Sequence, residues 1–186
     1  MKLAKLAKKI TDLSKNNIAL VGHMGSGKSV IGKLISNQLS FKHIDTDTEI
    51  EKYVGKRINE IFKIYGEQYF RKLEEKIVLE IVNKSKIILS LGGGSILNSK
   101  IRNALKSNCL TIFLDVNFDI LEKRLKNSRH RPLLKNTNIR KKITELDIIR
   151  RKYYLLADIT LTKHTSVADT LSDLNEKYLE YYEKNN

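Results

Sequence analysis

The chain has 186 residues, with 35 Lys and Arg against 21 Asp and Glu, a net charge of +14. The length suits a single domain over 1–186, and no apolar run is long enough for a helical membrane span. The basic surplus attracts anions without choosing among them, but the lysines are spread along the chain beside acids, which favours a small anionic ligand over nucleic acid.

In chain order, residues 1–15 come first. Leu3, Leu6, Ile10 and Leu13 recur at helical spacing, with Lys2, Lys5, Lys8, Lys9 and Lys15 between them. This predicts an extra basic N-terminal helix docked on the domain. The absence of Arg and the presence of Asp12 argue against a transit peptide, and there is no apolar stretch of the secretory kind.

Residues 17–21 (NIALV) read as a strand that runs into a glycine loop, and 28–39 as the helix after it. A short strand covers 42–45. Two short helices, 47–54 and 59–65, are split at Gly55, and a longer one over 67–82 puts Phe70, Leu73, Ile77 and Ile81 on one face. Residues 86–91 (KIILSL) form a buried strand, followed by the consecutive glycines Gly92, Gly93 and Gly94. A helix at 101–106 leads to a strand at 109–114, headed by Cys109. As the lone cysteine it can form no internal disulfide, and its apolar run marks it as an inert core thiol suited to a reducing cytoplasm. A helix at 118–126 precedes 127–138 (NSRHRPLLKNTN), a basic polar stretch with the only proline, Pro132, which reads as a lid loop. Helix 139–156, strand 158–161 and helix 167–182 complete the chain. Strands alternating with helices, without repeats or linkers, predict an α/β fold with a parallel sheet.

Gly22-His23-Met24-Gly25-Ser26-Gly27-Lys28-Ser29 fits G-x-x-x-x-G-K-[ST] between the first strand and its helix. Glycines let such a loop turn its N–H groups inward on phosphate oxygens, and the helix N-terminus adds to the anion site. Lys28 is suited to the β- and γ-phosphates, and the Ser29 hydroxyl to Mg²⁺. The motif therefore predicts ATP with Mg²⁺, held by Gly25, Ser26, Gly27, Lys28, Ser29 and Val30.

Further groups bear on the acceptor. Asp45 and Asp47 follow the second strand, where ligands of open α/β sheets bind. One carboxylate can join the Mg²⁺ shell and the other accept a hydrogen bond from a hydroxyl nucleophile. Equally, D-x-D can be a turn with a helix cap. The glycines at 92–94 would strip a pocket floor of side chains. Arg71 can pair in a forked manner with a carboxylate, or pair with Glu74 on a solvated helix. Arg124, Arg129, Arg131, Arg150 and Arg151 offer charge to a transferring phosphate, Arg131 from the lid. A solvated basic turn would have the same spacing.

Taken together, G-x-M-G-x-G-K-S, D-T-D, I-x-E-I-F, G-E-x-x-F-R-x-x-E, L-G-G-G, R-P-L-L and R-x-x-x-Y-x-x-A-D, spread from Gly22 to Asp158, resemble the signatures of the shikimate kinase family. The resemblance implies a three-layer α/β/α P-loop kinase fold: five parallel strands in order 2-3-1-4-5, with a lid. It implies phosphorylation of the 3-hydroxyl of shikimate by MgATP, in aromatic amino-acid biosynthesis, by a cytoplasmic monomer without nucleic-acid or membrane partners. Lys28, Asp47 and Arg131 would be catalytic. Ser29 and Asp45 would face the metal, and Arg124 would stack on adenine. Asp47, Arg71, Gly93, Gly94 and Arg150 would hold shikimate. The family often has a proline where this chain has Lys152-Tyr153, so Arg151 is an alternative to Arg150. Competing readings are a kinase of gluconate or of a nucleoside monophosphate, and a P-loop nucleic-acid-binding regulator.

Overall fold

The computed structural model describes residues 15–126, 138–164 and 166–185. The predicted N-terminal helix, apart from Lys15, and the lid with Arg131 lie outside these residues, except for Asn138. The strands are β1 (Asn17–Val21), β2 (Lys42–Asp45), β3 (Ile87–Ser90), β4 (Cys109–Leu114) and β5 (Ile159–Leu161). They form one parallel sheet in the order 2-3-1-4-5, as expected. The helices are α1 (Lys28–Leu39), α2 (Thr46–Val54), α3 (Ile58–Val82), α4 (Ser99–Asn108), α5 (Phe118–Lys126), α6 (Ile139–Tyr154) and α7 (Val167–Asn185).

Strand alternation explains the layers. Along β1, Ala19 and Val21 enter one core with Ile50, Ile61, Phe70 and Ile101 from α2, α3 and α4. Ile18 and Leu20 point the other way, into a second core with Ile35, Leu121 and Leu174 from α1, α5 and α7. A strand covered on both faces must be apolar throughout, which is why NIALV shows no polar alternation. Its one polar member, Asn17, is buried but satisfied. Its Nδ2 donates to the carbonyls of Val82 (3.1 Å) and Lys84 (2.7 Å), and its Oδ1 accepts from the Ile87 N–H at 2.9 Å. This fastens the end of α3 to the start of β3. At Cys109, burial pushes the thiol pKa up to about 12, so the residue is the inert core thiol expected.

Three local details refine the sequence reading. The helices expected at 59–65 and 67–82 follow one another within α3, and the break between them falls at Gly66, whose φ of 79° and ψ of 169° are not helical. A 3-10 turn at Ser95–Leu97 precedes α4, and the Asn98 side chain caps α4 by accepting from the N–H groups of Lys100 and Ile101. Finally, α2 begins at Thr46, capped by the Asp45 carboxylate. None of the described helices is long and apolar enough to cross a membrane.

Candidate active site

A cleft of about 1010 Å³ opens at the carboxyl ends of β1, β2 and β3. β1 delivers the phosphate loop. Gly22, Gly25 and Gly27 have φ of 141°, 78° and 98°, conformations that side chains disfavour, and this lets the chain curl before α1. Across the loop, the Lys28 ammonium donates to the carbonyls of Gly22 and His23, both at 2.8 Å, and to Ser26 Oγ at 3.3 Å. Arg124, from the last turn of α5, donates through Nη1 to the carbonyls of Gly25 (3.1 Å) and Ser26 (3.4 Å). Val30 is 55% exposed and lines the same cleft.

At the end of β2, both readings of D-x-D hold together. Asp45 Oδ1 caps α2, accepting from the N–H groups of Asp47 (3.1 Å) and Thr48 (3.3 Å). Its Oδ2 accepts from Ser29 Oγ at 2.5 Å. The two oxygens sit side by side at the loop's rim, a hard donor pair suited to a Mg²⁺ that keeps phosphate and water as its other ligands. Asp47 lies two residues further on, lining the cleft beside Gly92.

Side chains crowd the glycine floor. A methyl group at Gly92 would lie 2.8 Å from Asp47 Oδ1 and 2.9 Å from Glu74 Oε1. One at Gly94 would lie 2.6 Å from Arg71 Nη2. At Gly93 it would lie 3.3 Å from Arg150 Nη1 and from the Gly22 carbonyl, so the floor also abuts the phosphate loop.

Arg71 pairs with Glu74, as its spacing allowed, but the helix face there is not solvated. Arg71 Nη1 donates to Glu74 Oε2 at 2.7 Å, and Nε and Nη2 donate to Glu67 Oε1 at 3.2 and 3.1 Å. Glu74 is only 1% exposed and is held from its other oxygen by Ser95 Oγ at 2.5 Å. Burial works against the charge of Arg71, but the Glu74 and Glu67 carboxylates outweigh it and raise the pKa. Glu74 is the site residue that residue-by-residue reading undervalued. A signal was present, because position 74 falls on the apolar face marked by Phe70, Leu73 and Ile77, where a charge needs a partner.

The structure separates the two adjacent arginines of α6. Arg151 turns away and makes a forked pair with Asp115 at 2.7 and 3.1 Å. Arg150 lines the cleft, is 4% exposed, and its Nε has no hydrogen-bond partner among the described residues. One turn on, Tyr154 donates to the Gly93 carbonyl at 2.6 Å; burial raises its pKa to about 12, although the Arg150 charge pulls the other way. Lys28, Ser29, Asp45, Asp47, Arg71, the glycine floor, Arg124 and Arg150 thus share one cleft.

Comparison with known proteins agrees with this geometry. The family model described as Shikimate kinase matches residues 24–180. A shikimate kinase of Buchnera aphidicola subsp. Baizongia pistaciae is 46% identical over 150 residues, covering 79% of this chain and 86% of that protein. One from Bartonella quintana is 37% identical over 183 residues, covering 95% and 87%. The solved structure of shikimate kinase from Acinetobacter baumannii in complex with shikimate superposes with a TM-score of 0.84 at 30% identity, covering 96% of this chain and 98% of that one. With its strand order, phosphate loop and family match in accord, the chain belongs to the shikimate kinase family.

Proposed function

We propose that the chain transfers the γ-phosphate of MgATP to the 3-hydroxyl of shikimate, releasing ADP and shikimate 3-phosphate. The observation that carries this reading is Arg150: a guanidinium only 4% exposed that lines the cleft beside Gly93, where the phosphate loop meets the glycine floor. A buried cation at the wall of a cleft calls for an anion, and Arg71 beside the same floor supplies a second cationic fork for an organic carboxylate.

In the reaction we infer, the loop N–H groups and Lys28 hold the triphosphate. Lys28 would exchange its carbonyl partners for phosphate oxygens. Ser29 and Asp45 would hold Mg²⁺, which when bound neutralises charge on the phosphates. Asp47 would accept the hydrogen bond of the acceptor hydroxyl and aim its lone pair at the phosphorus. Arg71, Gly93, Gly94 and Arg150 would fix the acid by its carboxylate. Arg124 would face the nucleotide base, and Arg131 would neutralise charge on the transferring group. Chemistry of this kind rests on positioning and electrostatics, so the arrangement needs no covalent intermediate. We extend the reading to a cytoplasmic monomer without nucleic-acid or membrane partners, which sizing chromatography and a salt-dependent nucleic-acid binding assay would check.

The test is coupled ADP release with shikimate, gluconate, CMP and AMP as acceptors. Turnover with shikimate alone is the expected result. Turnover with one of the others instead would overturn the reading. In Lys28→Met, transfer should fall by roughly 10³-fold with the fold intact by circular dichroism. Full activity in that variant would remove the role given to the loop.

A further inference from the structure

The geometry points to His23 and Asp147 as a positioning pair that ties the acid-gripping helix α6 to the phosphate loop and so holds Arg150 in register. His23 belongs to the loop, and its backbone carbonyl accepts from the Lys28 ammonium at 2.8 Å. Its side chain leaves the loop in the other direction. It is 3% exposed, with its ring edge-on to Tyr154 at 5.1 Å and to Phe118 at 6.0 Å. Its Nε2 lies 2.7 Å from Asp147 Oδ1 on α6.

The direction of that bond follows from chemistry. A carboxylate only accepts, so Nε2 carries the proton. Burial lowers the pKa of His23 more than Asp147 raises it, and Arg150 and Lys28 lower it further, so the ring is held neutral. The link is a neutral donor on a charged acceptor, stronger than a bond between two neutral groups.

Asp147 stands one turn before Arg150, and Tyr154 about one turn after it. Asp147 is tied to the loop through His23, and Tyr154 to the glycine floor through the Gly93 carbonyl at 2.6 Å. The stretch of α6 carrying Arg150 is therefore pinned at both ends to the two halves of the cleft. Arg150 has no such tether at its own Nε. Its place depends on the helix beneath it, which these two contacts hold to the cleft while the Arg151–Asp115 pair fastens another side.

The inference rests on the proposed function and is tested with it. Shikimate and ATP KM values are measured for the full chain and for His23→Phe, Asp147→Leu, Asp147→Asn and the His23→Phe/Asp147→Leu double variant. Each of the first two should raise the shikimate KM by roughly tenfold and leave the ATP KM within about twofold. Asp147→Asn keeps an oxygen acceptor for Nε2 and should stay near the parent. The double variant should be no worse than Asp147→Leu alone, which removes the shared contact together with the longer pair of Asp147 and Arg151 at 3.7 Å. Shikimate KM values near the parent in both single variants, additive losses, or equal rises for ATP and shikimate would each overturn the inference. Asp147 is less enclosed than His23, so its variants decide the matter if His23→Phe fails to fold. A parent that neither binds nor phosphorylates shikimate refutes the proposed function and this inference together. A parent that does so, with variants that behave like it, refutes the inference alone.

Discussion

Replacing Gly94 with alanine isolates the contribution of the glycine floor. The backbone there, at φ −95° and ψ −15°, is one that alanine adopts without strain, so the perturbation is purely steric. The new methyl would meet Arg71 Nη2 at 2.6 Å, Nη1 at 2.7 Å and Cζ at 2.9 Å. Ordinary contact is near 3.5 Å, so the guanidinium must retreat by roughly 1 Å. It is not free to do so at no cost, since it is held by buried Glu74 at 2.7 Å and by Glu67 at 3.1 Å. A misplacement of about 1 Å in a positioning group can lose on the order of 10²-fold, and a hydrogen bond to a charged group is worth ~1.5–3 kcal/mol. The expected result for Gly94→Ala is a shikimate KM raised by roughly 10- to 100-fold, with the ATP KM within about twofold. Coupled ADP release at saturating ATP, with shikimate varied, measures the first value; the reverse titration gives the second. A shikimate KM within about threefold of the parent, in a folded variant, would refute the claim that Arg71 must sit where the methyl lands.

Arg150→Ala should raise the shikimate KM by at least about tenfold, whereas Arg151→Ala should leave it near the parent and show only a small loss of thermal stability, because its pair with Asp115 is partly exposed. Glu74→Leu leaves Arg71 with Glu67 alone and strands the Ser95 hydroxyl; losing two hydrogen bonds to a buried carboxylate, each worth roughly 1.5–3 kcal/mol, should appear in differential scanning calorimetry as a Tm drop on the order of 10 °C. His23, His43 and His164 all have pKa values lowered from 6.5, chiefly by burial. The folded state thus binds fewer protons than the unfolded chain, so stability should be full above pH 6.5 and fall as the pH drops below it. Denaturant midpoints measured across that range, with His164→Asn shrinking the slope, check the sign.

Much of the fold could be read in advance because its determinants are local. NIALV and CLTIFL are apolar throughout since helices cover both faces of their strands, and the direction change at Gly66 coincides with the predicted start of a helix at residue 67. The 3-10 turn at Ser95–Leu97 escaped notice because three residues carry no periodicity. In the site, the loop was legible as a motif, but the partners of its side chains were not. His23 and Asp147 stand 124 residues apart, and nothing in either neighbourhood announces the other. The adjacent Arg150 and Arg151 differ by about 100° around their helix, so a register uncertain by one residue could not separate the inward from the outward side chain. Asp45 resisted assignment for another reason: its two oxygens do different things, one capping α2 and one meeting Ser29.

The posture of Lys28 has a thermodynamic consequence. A free lysine side chain carries about 2 kcal/mol of rotamer entropy, which an ordinary surface ammonium surrenders when it grips a ligand. Here main-chain dipoles have already drawn the chain into one arc over the loop. An arriving polyanion meets an ammonium already confined to the loop, so less disorder is lost on binding, while the two carbonyl bonds it gives up offset part of that gain.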